Sequence, residues 1–196
     1  MKIRILCLLI IGAILSCNDE SVKVEDNVQY HDADEEVAGS FEWDKHPILQ
    51  EAIKLLKEGK IPEAMQKFNL AEKKYGGNIQ LYLNRGVAYQ RLGDNQEAII
   101  DFGRCLQIDE DYIPALLNRG LAYAHAYQFT SALEDFNRAV EIKPTLPEIY
   151  ANRAVAYHGM GRTASACRDI EKAEQLGMKE KFGTEVISKM KEDFCE

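Results

Sequence analysis

The sequence lacks the signatures of several large functional classes. Its longest apolar run, residues 5–15, is too short to span a bilayer comfortably. It has no glycine-rich phosphate loop, no nucleophile elbow, no CxxC pair and no HExxH motif. His125 and His158 could lie near each other, but no third metal ligand accompanies them, so we interpret both as solvated. We therefore expect neither an enzyme nor a cofactor or metal site.

Positive charge is also scarce. The 196 residues contain 24 Lys and Arg against 32 Asp and Glu, which gives a net charge of −8. Residues 18–44 hold ten of these acidic residues and only one basic residue, Lys23. No basic patch is left to bind nucleic acid, so nucleic acid is not an expected partner. Residues 18–44 also have few large apolar groups, which predicts an acidic disordered tether because such a segment cannot offset its ordering entropy.

The N-terminus is similar to an export signal. Two basic residues precede the apolar run 5–15, and the signal ends in ILSC at residues 14–17. ILSC resembles the lipobox of bacterial lipoproteins, which implies a signal peptide at 1–16 and lipid attachment to Cys17. Lipidated Cys17 and the tether would then form residues 17–44. We expect an anchor in the bacterial cell envelope, in the outer membrane, on its periplasmic or its surface side; a plain cleaved signal with an incidental Cys17 is the alternative.

One six-residue stretch occurs three times. NRGVAY at 84–89 returns as NRGLAY at 118–123 and as NRAVAY at 152–157, each time 34 residues later. In every 34-residue block, positions 20, 24 and 27 are small, large and small, which defines one face of a helix. A second helix precedes this one, and glycine separates the two in three blocks. Each block is therefore predicted to form a helical hairpin, over residues 45–78, 79–112, 113–146 and 147–180.

The period and the order of aromatic, small, Tyr, Ala and Phe positions resemble the tetratricopeptide repeat (TPR) family. The resemblance covers 45–180 and implies an all-α fold, an α-solenoid of four TPR repeats. Residues 181–196 are too short for a fifth repeat but place apolar residues at helical spacing, which predicts a capping helix on the last hairpin. A free amphipathic helix that docks on a membrane is the alternative. The apolar residues are Phe182, Val186, Ile187, Met190 and Phe194.

Opposite charges recur at two positions of the blocks. Position 7 is Arg and position 23 is Asp in the last three blocks, whereas the first block has Glu51 and Lys67, with both signs reversed. Pairing position 23 with position 7 of the next block would set Lys67 against Arg85. We therefore predict ion pairs within each hairpin. In the last three hairpins these are Arg85–Asp101, Arg119–Asp135 and Arg153–Asp169.

Three cysteines fall in the repeats and the cap. Cys105 stands where the other blocks have Ala, which indicates a small buried residue. Cys167 and Cys195 lie at similar distances from the turns at Gly177 and Gly183, so two antiparallel helices would bring them level. In an exported protein this predicts a disulfide between the cap and the last repeat, and two unrelated thiols are the alternative.

The asparagine of the repeated stretch is the candidate binding residue. The family resemblance places position 6 on the concave side of the superhelix, where Asn84, Asn118 and Asn152 would form a ladder. A primary amide offers a donor and an acceptor, so it matches one peptide unit of an extended chain; the similar arrays of the O-GlcNAc transferases use such a ladder. The alternative is that these residues only bond neighbouring helices. The predicted apolar floor of the groove consists of Leu83, Val87, Leu117, Leu121, Ala151 and Val155.

The resulting hypothesis is a non-catalytic interaction module, a lipid-anchored envelope adaptor that binds an extended polypeptide segment in its concave groove. The first block has Gln50 at the ladder position. Chaperone-cofactor relatives clamp a C-terminal carboxylate with Lys and Arg side chains. Leu49 and Ile53 occupy the corresponding positions here, so that clamp is not expected. The competing hypothesis is a permanent structural subunit of an envelope complex with an unused groove.

Overall fold

The computed structural model describes residues 8–9, 13–14 and 45–195, apart from the side chain of Phe182. Leu8–Leu9 (β1) and Ala13–Ile14 (β2) pair antiparallel, with Leu8 opposite Ile14. The rest of the predicted signal peptide, the proposed lipid attachment at Cys17 and the tether lie outside the described residues. Residues 45–195 belong to one compact unit.

Residues 45–195 are organised as helical hairpins. Each helix packs most extensively on its hairpin partner, and each second helix of a hairpin also packs on the first helix of the next one. This arrangement confirms the predicted all-α solenoid of four repeats followed by a cap. The helices are α1 Pro47–Lys57, α2 Ile61–Tyr75, α3 Ile79–Leu92, α4 Asn95–Ile108, α5 Ile113–His125, α6 Phe129–Ile142, α7 Pro147–Gly159, α8 Thr163–Gln175, α9 Met178–Phe182 and α10 Thr184–Cys195.

Local sequence explains where the helices start and where the hairpins turn. Helices α1, α2, α5 and α7 have proline in the first turn, where the missing N–H would have no partner inside the helix. The turns within the first, second and fourth hairpins use Gly59, Gly93 and Gly161 at positive φ. The third hairpin has Tyr127 at this place, with a φ of 59°. A tyrosine therefore occupies a left-handed conformation that favours glycine.

Aromatic residues at position 24 fill the core of the hairpins. Phe68, Phe102 and Phe136 are fully buried. The facing first helices come so close that a Cβ atom at Gly86 would lie 2.6 Å from the Phe102 ring, and one at Gly120 would lie 2.5 Å from Phe136. These glycines therefore let the two helices of a hairpin approach around a phenylalanine.

The cap consists of two helices instead of the predicted one. Gly183, at a φ of 88°, separates α9 from α10. Helix α10 packs on α8 and buries Ile187, Met190 and Phe194. The sulfur atoms of Cys167 and Cys195 are bonded, with 5.5 Å between the Cα atoms. Apolar burial and a covalent bond thus attach the cap to the last repeat.

Within the part of the chain that the structure describes, no helix is long and apolar enough to cross a membrane.

Candidate functional site

The arginines of the repeated stretch bind the second helix of their own hairpin. Nε and Nη2 of Arg85 donate to the two carboxylate oxygens of Asp101, at 2.6 and 3.0 Å. The pairs Arg119–Asp135 and Arg153–Asp169 have the same two-bond geometry, at 2.6 to 2.8 Å. In the first hairpin Lys67 donates to Glu51 at 2.7 Å. The predicted pairing within hairpins is confirmed, so these arginines are structural.

Arg85 also reaches the preceding repeat. Its Nη1 donates to Glu72 at 2.5 Å and to Asn69 at 3.1 Å, both on α2. Burial alone would lower the pKa of Arg85, but the carboxylates of Asp101 and Glu72 raise it above its ordinary value. The hydrogen bond from Arg85 in turn lowers the pKa of Glu72. This three-way contact joins the first two repeats.

The residue at position 25 of each block indicates this link between repeats, but only when the block is compared with the next one. Position 25 is Asn69 in the first block and Asn137 in the third, and Asn137 accepts a 2.9 Å hydrogen bond from Arg153 of the fourth. In the second block the same position is Gly103. An amide at position 25 therefore connects neighbouring repeats at two of the three junctions.

The position-6 amides lie along neighbouring first helices, and we call the surface formed by Gln50, Asn84 and Asn118 the amide face. Asn84 is half-buried, and its Nδ2 donates to the backbone oxygen of Gln80 at 2.7 Å. Gln90 of α3 donates to the backbone oxygen of Asn118 on α5 at 3.2 Å, which joins these helices side by side. Gln50 is exposed.

Asn152 differs from the other two asparagines. Its side chain is fully buried, and neither its nitrogen nor its oxygen has a hydrogen-bond partner among the described residues. The cap contacts both ends of the helix that carries it: Lys181 of α9 bonds Glu148, and Phe194 of α10 stacks on His158 at 4.4 Å. The expected ladder thus loses its last member from the surface.

The predicted apolar floor divides into a buried and an accessible set. Val87, Leu117 and Ala151 are buried between helices and are unavailable to a ligand. Leu117 belongs to the core cluster around Phe136. Leu83, Leu121 and Val155 are half-buried and form the accessible part of the floor. The surface available for binding is therefore smaller than the predicted set of nine groove residues.

A shallow hollow lies on α1 beside the amide face. It is lined by residues of this helix and by Glu58, which follows it, so the first repeat presents an amide, an aliphatic side chain and charges of both signs together. Of these residues, the sequence had placed only Gln50 at the ladder position. The lining residues are Gln50, Ile53, Lys54, Lys57 and Glu58.

Groups with potential for other chemistry are dispersed. The described parts of the chain contain no cluster of three or more His, Cys, Asp or Glu residues able to hold a metal ion. His125 is exposed at the end of α5, and His158 stacks on Phe194. Cys105 is fully buried, and burial raises the pKa of its thiol to about 12. A thiol that stays protonated at neutral pH is a poor nucleophile.

Three segments match models of known repeat families. Residues 79–112 and 147–176 each match a tetratricopeptide repeat, and residues 128–161 match a TPR repeat. No curated protein sequence matches the chain significantly.

Solved structures share the fold at low sequence identity. A tetratricopeptide repeat protein from Parabacteroides merdae ATCC 43184 has a TM-score of 0.68 at 19% identity, over 81% of this chain and 60% of that one. A MamA chain from Desulfovibrio magneticus RS-1 has a TM-score of 0.65 at 21% identity, over 78% and 88%. The first TPR of Spaghetti (RPAP3), bound to an HSP90 peptide, has a TM-score of 0.55 at 24% identity, over 58% and 90%. At these identities the similarity establishes the fold alone.

Proposed function

We propose that the chain is a lipid-anchored envelope adaptor that binds an extended polypeptide segment across its amide face. Three of its segments match tetratricopeptide repeats, and such repeats serve as protein–protein interaction modules. The chain has no catalytic role in this proposal. The alignment of Gln50, Asn84 and Asn118 on successive first helices carries the proposal. Each amide can donate to one peptide carbonyl and accept from one peptide N–H.

Two features of the site support this assignment. In the pairs Asn84-Arg85 and Asn118-Arg119 the Arg is already engaged within its hairpin, so the neighbouring half-buried Asn is the member of the pair that can reach a ligand. Leu83 and Leu121 are half-buried next to the asparagines and offer apolar contact without discriminating strongly between side chains. A structural neighbour of this chain is bound to an HSP90 peptide, but Leu49 and Ile53 supply no charge with which to clamp a carboxylate.

The membrane part of the proposal rests on the sequence of the N-terminus. Lipid attachment at Cys17 would hold the repeats at the outer membrane through residues 18–44, with no catalytic or metal requirement. Replacing Cys17 with Ala should release the protein from the membrane fraction. Retention of a Cys17→Ala chain that is still cleaved after residue 16 would contradict the anchor.

A permanent structural subunit is the second candidate, and a specific observation favours it. Leu70 on α2 and Ile100 and Ile108 on α4 are large aliphatic residues of the second helices, and each is about half exposed. A partner that covers these residues would bind the second helices and leave the amide face unused.

Crosslinking in intact cells tests the two candidates. The wild-type protein and an Asn84→Ala, Asn118→Ala variant would be crosslinked, and captured proteins would be identified by mass spectrometry. Binding across the amide face predicts loss of the partner at unchanged thermal stability. Capture that persists in this variant but is lost in Leu70→Ser, Ile100→Ser would instead favour the structural subunit.

A further inference from the structure

The first helices of the first three repeats are linked side by side along the amide face. Two consecutive residues of α3 make the links: Nη1 of Arg91 donates to the backbone oxygen of Leu56 on α1 at 2.9 Å, and Nε2 of Gln90 donates to that of Asn118 on α5 at 3.2 Å. Packed helices lie about 8 to 10 Å apart. The three amides hold the same block position on these helices, so they recur along the face at about this distance.

This step restricts the backbone conformation of a ligand that meets every amide in the same way. Peptide units of a β-strand point in one direction every second residue, about 6.7 Å apart. A strand would therefore fall short by about 1 to 3 Å at each amide, whereas hydrogen-bond lengths vary by about 0.5 Å. A polyproline II segment has three residues per turn and a rise of about 3.1 Å, so equivalent peptide units recur about every 9 Å. Its backbone has no internal hydrogen bonds, and its N–H and C=O groups are therefore free to bind the amides.

Aliphatic side chains on the outer two helices accompany the amides. Ile53 follows Gln50 by three residues and Leu121 follows Asn118 by three, and both aliphatic side chains are half-buried. Residues three apart are neighbours on a helix surface, so each amide lies beside an aliphatic group. Val87, the equivalent residue on the middle helix, is buried. Two accessible aliphatic contacts are thus separated by two repeats, which correspond to six residues of a polyproline II ligand.

The hollow on α1 joins the two features at one end of the amide face. Gln50 and Ile53 both line it, so it can receive an aliphatic side chain next to a bonded peptide unit. Charges of both signs border it, because Lys54 lies 3.9 Å from Glu58, and Lys57 also belongs to the lining. The hollow therefore favours no charge in the ligand.

The middle amide is held in place by its own helix. Nδ2 of Asn84 donates to the backbone oxygen of Gln80 at 2.7 Å. A primary amide has two N–H groups and an oxygen that accepts, so Asn84 keeps one donor and one acceptor for a ligand. Its orientation is thus fixed before binding, which lowers the entropy that binding costs.

We infer that the segment bound across the amide face adopts the polyproline II conformation, in which every third peptide unit bonds to an amide and aliphatic side chains six residues apart lie over Ile53 and Leu121. This inference rests on the proposed function and specifies its partner. Proline fits between the bonded peptide units, where no N–H is needed, and it orders the ligand in advance. The partner is therefore a proline-containing segment with aliphatic residues at six-residue spacing.

A proline scan of a selected peptide tests the inference. Random peptides of about twelve residues, long enough to cross the face at about 3.1 Å per residue, would be selected from a displayed library against the full chain in mild detergent. Each position of the most enriched peptide is then replaced in turn by proline. Affinities are measured for the wild type, for Asn84→Ala, Asn118→Ala and for Asn152→Ala. Asn152 holds the same block position but is fully buried, so its variant is the matched control. Thermal unfolding verifies that each variant is folded.

We expect proline to be tolerated at two positions of every three and to lower the affinity about tenfold at the third, where it removes a bonded N–H. In the Asn84→Ala, Asn118→Ala variant the affinity should be lower and this three-residue pattern should disappear, whereas Asn152→Ala should retain both. Tolerance of proline at every second position, or at none, in peptides that still require Asn84 and Asn118 would overturn this inference and leave the proposed function standing. Enrichment of no peptide, or equal affinity for the wild type and the double variant, would overturn both.

Discussion

Lys67 donates a 2.7 Å hydrogen bond to Glu51 across the two positions at which the other three hairpins pair Arg with Asp. The connection between the helices is therefore kept while the polarity is reversed. Helix packing at these positions depends on complementary charge and not on which helix carries the cation. The first hairpin is thus a natural charge reversal of the ion pair in the other three.

An artificial swap in the third hairpin should repeat this result. Arg119→Glu is expected to destabilise the array, because Asp135 is buried and would face a like charge. Adding Asp135→Arg should restore about 0.5 to 1 kcal/mol relative to the sum of the single changes, since Arg119 is partly exposed. Urea unfolding of the four proteins measures this coupling. A double variant no more stable than that sum would show that the pair contributes nothing.

The junction between the second and third repeats should be improvable. A Cβ atom at Gly103 would meet only Nη1 of Arg119, at 3.8 Å, so there is space for a side chain. Asn at position 25 accepts from the next repeat's arginine in two other junctions. Gly103→Asn should therefore stabilise the protein by about 1 kcal/mol, from helix propensity and a new hydrogen bond.

Gly103→Ala is the matched control for this substitution, because Ala gains helix propensity without an acceptor. In an Arg119→Ala background the asparagine should lose its contribution from hydrogen bonding. If the Asn variant gains as much in that background as in the wild type, the amide is not bonded to Arg119.

Glu72 should make stability sensitive to acid. Its hydrogen bond with Arg85 lowers its folded-state pKa below the ordinary value of 4.5. A lowered pKa stabilises the fold above the ordinary value, and this contribution disappears as the pH falls through the lowered one. Between about pH 5 and pH 3, thermal midpoints should therefore fall less steeply for Glu72→Gln than for the wild type. Glu97→Gln, exposed on α4, is the control, and an equal flattening there would refute a specific role of Glu72.

Contacts within one hairpin could be predicted from the sequence, whereas contacts between repeats could not. The ion pairs could be predicted because both partners recur at a fixed 16-residue spacing and the first block reverses both signs together. Asn152 could not be ranked apart from Asn84, because the two hold the same position of the repeat and only the structure shows that Asn152 is buried. The link from Arg85 to Glu72 crosses a repeat boundary, so comparison of positions within blocks did not reveal it.

The Cys167–Cys195 bridge should be detectable by mass. Without reductant, unfolded protein that starts at residue 18 should take up one alkyl group, at Cys105, and with reductant it should take up three. Loss of the bridge in Cys195→Ser should cost about 3 kcal/mol, because the bond restricts the unfolded chain over a separation of 28 residues. Three alkyl groups without reductant would exclude the bridge in solution.

Asn152 provides the sharpest separation of scaffold from binding surface. Its amide is fully buried and has no hydrogen-bond partner among the described residues. Folding therefore removes the amide from water without a compensating hydrogen bond, which costs free energy. Asn152→Ala should therefore leave stability unchanged or raise it by about 1 kcal/mol, and it should not affect peptide binding. Asn84→Ala should behave oppositely, with stability close to wild type and weaker binding, because this half-buried side chain lies on the amide face. Thermal unfolding measures the stability, and titration with the partner captured by crosslinking measures the binding. A loss of binding in Asn152→Ala at full stability would mean that the fourth repeat opens to the ligand, and a loss of stability would mean that its amide has a polar partner in solution.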